Sequence, residues 1–153
     1  MSELKKGDKA PAFALTDQDE NTVKLADFKG SRLLVYFYPK ADTPGCTVQS
    51  CAVSAARPKL SRKKIKAVGI SPDPPRKQKA FDDKHGLGFP LLADEDHKVA
   101  EAFGVWGEKS FMGKKFMGIV RSAFLIGATG KVEEAWYGVS PKDTVPNVLE
   151  ASE

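Results

Sequence analysis

Two short apolar runs most constrain the fold of this chain. Residues 32–38 read RLLVYFY and end before Pro39, and residues 66–70 read KAVGI and end before a proline-rich turn. Short runs that are apolar on both faces are typical of central strands in a sheet that helices cover on both sides. The longest apolar stretch, residues 33–38, is far shorter than the roughly 20 residues that span a bilayer. The sequence therefore predicts a buried sheet and no membrane partner.

A helix is predicted between these two strands, from Thr43 to about Arg57. Thr43 can cap the helix with its side chain, and Pro44 stands at the first helical position, where its missing N–H leaves no bond unmade. Pro58 should end the helix, because the residue before a proline avoids helical backbone angles. The result is a strand–helix–strand unit in the centre of the fold.

Further elements are predicted on either side of this unit. They are an N-terminal hairpin over residues 13–15 and 22–25, helices over residues 75–84 and 98–103, a late hairpin over residues 122–126 and 131–137, and a terminal helix over residues 141–150. Together they predict an α/β fold with a mixed central sheet flanked by helices and with an N-terminal hairpin. The length of 153 residues fits a single domain over residues 1–153.

Both cysteines of the chain lie in one short segment, at Cys46 and Cys51. With Thr43 as the cap, Cys46 falls in the first helical turn. Unpaired backbone N–H groups and the positive end of the helix dipole stabilise a thiolate there, and the thiolate is the nucleophilic form. A free cysteine is more often a small buried apolar residue, but the loop-to-helix position of Cys46 favours a reactive thiol.

Cys51 follows Cys46 by five residues, which on an intact helix means a rise of about 7.5 Å and a rotation of about 140°. A disulfide needs Cα atoms closer than about 7 Å, so the two cysteines can pair only if the first turns unwind. Cys51 is therefore either a core residue or the thiol that condenses with a sulfenic acid at Cys46. The spacing differs from the C-x-x-C pair of thioredoxin-type reductases.

The segment FYPKADTPGC, residues 37–46, resembles the active-site segment of the peroxiredoxins, specifically of the bacterioferritin comigratory protein or peroxiredoxin Q subfamily. The resemblance rests on the pattern Pro-x-x-x-Thr-x-x-Cys and extends over residues 5–150. It includes GDKAPAF at residues 7–13, GISPD at 69–73, FPLLAD at 89–94, WGEK at 106–109 and RSAFLI at 121–126. The resemblance implies a thioredoxin-like fold and a thiol-specific peroxidase.

The family resemblance also implies roles for individual residues. Cys46 is the peroxidatic cysteine, which reduces hydrogen peroxide or an organic hydroperoxide and becomes a sulfenic acid. Thr43 orients the peroxide. Arg121 stabilises the thiolate and the developing charge, a task that suits a guanidinium because it stays charged and offers a rigid fork of donors. The substrate pocket is assigned to Pro39, Pro44 and Gly45.

Cys51 matches the resolving cysteine of family members that form an intramolecular disulfide, here Cys46–Cys51. The resemblance implies that thioredoxin or a similar dithiol protein reduces this disulfide, that no metal or organic cofactor takes part, and that the protein is a monomer. Gln49 stands where the subfamily commonly has Glu. That difference removes a possible acid–base partner near the pocket.

The charge distribution and the N-terminal composition indicate which partners and which cellular compartment to expect. Basic residues crowd residues 57–64 and 76–79 of a chain whose net charge is +4, and no aromatic residue lies within either run. Such runs indicate solvated helix ends rather than a nucleic-acid interface. The N-terminus shows no apolar signal segment, so we expect a cytoplasmic protein without a nucleic-acid partner.

Two alternatives stay open at this point. Residues 103–117 contain an apolar and aromatic set that predicts either core and pocket wall or a docking surface for thioredoxin: Phe103, Trp106, Phe111, Met112, Phe116 and Met117. The alternative to the enzyme is a redox-switched binding or sensor protein. The two functions differ in turnover, because a switch stops after a single oxidation whereas an enzyme keeps consuming peroxide.

Overall fold

The computed structural model describes residues 3–152 of the chain. Within that range the strands are β1 (Ala14–Thr16), β2 (Thr22–Lys24), β3 (Arg32–Phe37), β4 (Ile65–Ser71), β5 (Leu91–Ala93), β6 (Trp106–Phe111), β7 (Lys114–Ile119), β8 (Ser122–Ile126) and β9 (Val132–Tyr137). The helices are α1 (Pro44–Ala55), α2 (Arg57–Arg62), α3 (Pro75–His85), α4 (Lys98–Ala102) and α5 (Thr144–Ala151), and a short 3-10 helix spans Leu25–Phe28. Met1, Ser2 and Glu153 of the predicted domain lie outside the described residues, and the single domain over residues 1–153 stays a prediction.

Seven of the strands form one mixed sheet in the order β2-β1-β5-β4-β3-β8-β9. Strand β3 is parallel to β4 and antiparallel to β8, and β4 is parallel to β5. The N-terminal hairpin is present as β1–β2, the central unit as β3–α1–β4 and the late hairpin as β8–β9. The prediction of a mixed central sheet flanked by helices is therefore confirmed.

Strand β3 lies inside the sheet and contributes to a core on each face. Leu34 and Tyr36 pack in one core, together with residues of α1, α2, α3 and α5. Leu33 and Val35 pack in the other, together with Ala100 of α4. Successive side chains of a strand point to opposite faces, so cores on both faces require an unbroken apolar run. This packing explains why residues 33–37 are all buried and all apolar.

The helical segment after β3 differs from the prediction at its end. Helix α1 ends at Ala55, and a second helix, α2, begins at Arg57 and runs through Pro58. The prediction that Pro58 ends the helical segment is wrong. Pro58 lies in the first turn of α2, where an N–H would have no partner within the helix, so proline costs nothing there.

Strands β6 and β7 form a separate antiparallel hairpin that pairs with no other strand of residues 3–152. The interpretation of residues 103–117 as core is confirmed for Phe103, which is fully buried. It is wrong for the four exposed side chains of the hairpin, which are Phe111, Met112, Phe116 and Met117. The sequence left open whether these side chains are buried or exposed, because it does not show that the two strands stand apart from the main sheet.

Candidate active site

Helix α1 places Cys46 at the end of the central strand β3. The chain leaves β3 at Phe37, passes through a short loop and enters α1 at Pro44, so Cys46 lies in the first helical turn. The Cys46 side chain is fully buried, and its thiol is free. The sulfur therefore lies beside the unpaired N–H groups of a helix start, where negative charge is stabilised.

Thr43 occupies the N-cap position of α1 with extended backbone angles, but its side chain does not cap the helix. Its hydroxyl donates instead to the carbonyl oxygen of Lys40, at 2.7 Å. The prediction of a side-chain cap is therefore wrong. Because the hydroxyl proton is engaged by Lys40, the oxygen lone pairs of Thr43 stay available to accept a hydrogen bond.

Arg121 directly precedes the neighbouring strand β8 and reaches Cys46 from there. Strand β8 runs antiparallel to β3 with Ser122 opposite Phe37, which places Arg121 where the chain leaves β3. Its Nη1 and Nη2 lie 3.4 and 3.5 Å from Cys46 Sγ. The structure thus brings together two residues that are 75 positions apart in the sequence.

Gln49 fixes the position of the guanidinium. Its Oε1 accepts a hydrogen bond of 2.8 Å from Arg121 Nη1, and its Nε2 donates to Thr144 Oγ1 at 2.9 Å. Gln49 and Thr144 are both fully buried. Arg121 forms no ion pair with a carboxylate anywhere in residues 3–152, so the guanidinium keeps its positive charge available for the sulfur.

Sequence reasoning missed this role of Gln49, which it treated only as the loss of an acid–base partner. A neutral amide both accepts from the guanidinium and donates to Thr144, two bonds that a carboxylate could not make in the same way. No local pattern shows this contact, because Thr144 at the start of α5 lies 95 positions from Gln49.

The predicted pocket residues surround the first turn of α1 without all being buried. Pro39 and Gly45 are half-buried and Pro44 is exposed. A Cβ atom built on Gly45 would lie 3.0 Å from Arg121 Nη2 and 3.5 Å from Pro141 Cγ. A side chain at position 45 would therefore press on Arg121 Nη2, and the guanidinium beside the sulfur would have to shift.

Two carboxylates hold the loop between β3 and α1. Asp73 accepts a hydrogen bond of 2.7 Å from the backbone N–H of Ala41. Asp42 bonds with Lys84 and His85 of α3. Hydrogen bonds from Lys84 and then His85 lower the pKa of Asp42 below its ordinary value. The loop that leads to Cys46 is thus tied to the main body of the fold on two sides.

Cys51 lies one and a half turns further along α1, half-buried against the core that contains Tyr36. Its thiol is free, so the structure describes the two cysteines unbonded on one continuous helix. The neighbouring Ser50 shares a hydrogen bond of 2.7 Å with the buried Tyr36 hydroxyl. Burial raises the pKa of Tyr36, so this hydroxyl stays neutral. The bond anchors the helix between the two cysteines.

Lys109 on β6 is a second cation near the site, and no role was predicted for it from the sequence. Its Nζ donates to the carbonyl oxygen of Ile119 at 2.8 Å, two residues before Arg121. Burial lowers the pKa of Lys109, the positive charge of Arg121 lowers it further, and the charge of Cys46 opposes both. The hairpin therefore meets the active site at Lys109.

Across residues 3–152, no three His, Cys, Asp or Glu side chains group closely enough to hold a metal ion. Within the same range, the helices are too short and too polar for any of them to cross a membrane.

Comparisons with known proteins place the chain in a family. The model of the AhpC/TSA family matches residues 6–135. Peroxiredoxin Bcp of Escherichia coli is 55% identical over 136 residues, which cover 89% of this chain and 87% of that protein.

Two solved structures show the same fold. A mutant of PrxQ from Xylella fastidiosa superposes with a TM-score of 0.91 at 30% identity, over 98% of this chain and 96% of that one. The bacterioferritin comigratory protein of Xanthomonas campestris, whose structures were solved to explain its alkyl peroxide reduction activity, superposes with a TM-score of 0.86 at 34% identity. That match covers 92% of this chain and 89% of that one.

The fold and these structural matches define a protein of the thioredoxin-fold class, as the resemblance implied. The chain belongs to the AhpC/TSA family, and within it to the peroxiredoxins, which are thiol peroxidases. The expected family and the expected peroxidase activity are thereby confirmed. The roles of Cys46, Cys51, Thr43, Arg121 and the pocket residues stay predictions, and the structure gives their positions.

Proposed function

We propose that this peroxiredoxin reduces alkyl hydroperoxides and hydrogen peroxide at Cys46. The observation that carries the proposal is the approach of Arg121 Nη1 to 3.4 Å from Cys46 Sγ in the first turn of α1. A fixed guanidinium and a helix N-terminus both stabilise negative charge on the sulfur. The alkyl substrate class is supported by the Xanthomonas campestris relative and its alkyl peroxide reduction activity.

In the first step, the Cys46 thiolate attacks one oxygen of the substrate's O–O bond. The S–O bond forms as the O–O bond breaks, so sulfur is oxidised to a sulfenic acid while the peroxide gains two electrons. The leaving oxygen takes up a proton and departs as an alcohol or as water. Arg121 stabilises the charge that develops on this oxygen. Thr43 orients the substrate by accepting a hydrogen bond from the peroxide O–H, since its own proton is held by Lys40.

In the second step, Cys51 resolves the sulfenic acid. Its thiol attacks the oxidised sulfur, a Cys46–Cys51 disulfide forms and water leaves. Helix α1 is continuous from Pro44 to Ala55 in the reduced protein, so its first turns must unwind before the two sulfurs can bond.

The disulfide is then reduced by thioredoxin or a similar dithiol protein, and the peroxiredoxin works as a cytoplasmic monomer. Two free thiols fit a reducing compartment. The strand β2 at one edge of the main sheet is three residues long, which offers little template for pairing with a second copy. Sedimentation velocity tests the monomer, for which we expect a single species near 16.6 kDa.

The experiment that tests the cysteine roles is dimedone trapping. Peroxide added to the Cys51→Ser variant should leave a sulfenic acid that dimedone labels at Cys46, as read by peptide mass spectrometry. The matched control is Cys46→Ser, which should remain unlabelled. Labelling of Cys51 in the control, at a rate comparable to that of Cys46 in the first variant, would reverse the assignment.

Turnover separates this proposal from the redox-switched binding or sensor protein. With thioredoxin, thioredoxin reductase and NADPH present, the wild type should consume many equivalents of peroxide. A protein that stops after a single oxidation would favour the switch.

A further inference from the structure

Exposed apolar side chains concentrate on two elements, the helix that carries both cysteines and the β6–β7 hairpin. In the part of the chain that the structure describes, five large apolar side chains are exposed. One of them, Val48, lies on α1 between the two cysteines. The other four lie on the β6–β7 hairpin and are Phe111, Met112, Phe116 and Met117. Exposed apolar clusters on soluble proteins mark interaction sites.

The register of the hairpin shows which of its faces continues from the active site. Lys109 pairs with Phe116, and Phe111 pairs with Lys114. Paired residues, and residues two apart along a strand, share a face, so these four lie on one face of the hairpin. Lys109 is also the residue whose Nζ bonds with the Ile119 carbonyl close to Arg121. This face therefore extends from the active site to the hairpin tip.

The charges on the hairpin are mainly positive. Three lysines stand against one acidic residue, Glu108, whose carboxylate lies 3.6 Å from Lys115. Lys114, next to the apolar tip, forms no ion pair with any residue from 3 to 152. A partner that fits this surface combines an apolar area with carboxylates at its border.

We propose that the β6–β7 hairpin is the docking surface for the dithiol protein that reduces the Cys46–Cys51 disulfide. The inference rests on the proposed function, because a docked reductant is needed only if that disulfide forms. A peroxide reaches Cys46 as a small molecule and needs no such surface. Thiol–disulfide exchange instead requires a sulfur of a second protein to contact a sulfur of this one, which a patch beside the cysteines provides.

Reduction of the disulfide needs no electron source beyond the two thiols of the reductant. A thiolate of the reductant attacks one sulfur of the disulfide, and the other sulfur leaves as a thiolate, which gives a mixed disulfide. The second thiol of the reductant loses its proton and attacks the sulfur of the reductant's first cysteine. This attack breaks the mixed disulfide and releases the remaining cysteine of this chain as a thiolate. Two electrons pass to this chain, and the reductant leaves as a disulfide.

The test compares two sources of electrons in a steady-state peroxidase assay. One assay uses thioredoxin with thioredoxin reductase and NADPH, and the other uses dithiothreitol. The double variant Phe111→Ser with Met112→Ser removes the apolar tip at exposed positions, so the fold should persist. We expect its kcat/KM for thioredoxin to fall by about tenfold or more, while turnover with dithiothreitol stays at the wild-type rate.

Charge gives an independent arm of the same test. Lys114→Glu should lower kcat/KM for thioredoxin, and added salt should lower it for the wild type, because surface attraction is screened. The matched control is Lys59→Glu, which makes the same charge change at an exposed position of α2. The control should keep the wild-type kcat/KM.

Four outcomes overturn the docking surface. They are unchanged thioredoxin kinetics in the double variant, loss of the double variant's dithiothreitol-driven turnover, an unsubstituted protein that turns over with dithiothreitol but not with thioredoxin, and unchanged thioredoxin kinetics of the double variant together with lost binding to phosphatidylglycerol vesicles. The last would make the hairpin a lipid-binding element. Absence of peroxide consumption by the wild type with either reductant would instead contradict the proposed function.

Discussion

The first turn of α1 and the β6–β7 hairpin are built in opposite ways. In the first turn, Cys46 is fully buried, and Arg121, Gln49 and Thr144 form a chain of hydrogen bonds behind it. In the hairpin, four large apolar side chains are exposed, and its two strands pair with no other strand among residues 3–152. The contrast separates two tasks. A buried site holds a charge in fixed geometry for chemistry, and an exposed hairpin offers a surface to a partner.

The largest effect on the reaction rate should follow from removing Arg121, the cation of the buried site. Arg121→Ala should slow the reaction of Cys46 with peroxide by about 100- to 1000-fold, because removal of one preorganised donor costs about 2.7–4 kcal/mol. The rate constant of Arg121→Lys should lie between those of Arg121→Ala and the wild type, since lysine keeps the charge but lacks the fork of donors. Stopped-flow measurement of the second-order rate constant checks both, and a wild-type rate in Arg121→Ala would remove Arg121 from the site.

A smaller effect should follow from loosening the same chain of hydrogen bonds at its far end. Thr144→Val removes the acceptor of the Gln49 amide. It should slow the first step by about 2- to 10-fold, because one such bond contributes about 0.5–1.5 kcal/mol. Thr144→Ser keeps the hydroxyl and should restore the rate. If Thr144→Val lowers the melting temperature but leaves the rate unchanged, the bond only stabilises the fold and does not position Arg121.

The smallest effect concerns the exposed contacts that tie the loop before Cys46 to α3. Because Lys84 and His85 lower the pKa of Asp42 in the folded state, the stabilisation is present above the ordinary aspartate pKa of about 3.9 and is lost as pH falls through the lower folded value. The difference in urea midpoint between wild type and Asp42→Asn should therefore be small near neutral pH and vanish in acid. A difference in urea midpoint that grows as the pH falls would contradict this prediction.

The central strands, the helix between them and the family were predictable because each has a strong local signal. The runs at residues 32–38 and 66–70 are apolar on both faces and end in prolines, and β3 and β4 follow them closely. The start of α1 follows from Thr43 and Pro44. Thr43 does occupy the predicted N-cap position. Its side chain does not cap the helix, however, because the hydroxyl donates to the carbonyl oxygen of Lys40 instead.

The hairpin and the chain of bonds behind Cys46 could not be predicted in the same way. Exposed apolar residues such as Phe111 and Met112 have the composition of core residues, and only the topology shows that β6 and β7 stand apart. Gln49 joins Arg121 and Thr144, which lie 72 and 95 positions away. Contacts at that separation depend on the packing of whole elements, which a single sequence does not display.

We propose that oxidation joins Cys46 to Cys51 by unwinding the start of α1, while the hairpin keeps its structure for the reductant. Hydrogen exchange by mass spectrometry in the reduced and the peroxide-treated protein tests this claim. Unwinding breaks several backbone hydrogen bonds, each worth about 0.5–1.5 kcal/mol.

We expect faster exchange after oxidation in peptides that cover residues 43–57 and unchanged exchange in peptides that cover residues 106–119. Equal protection of residues 43–57 in both states, with the Cys46–Cys51 disulfide verified by mass, would contradict the claim.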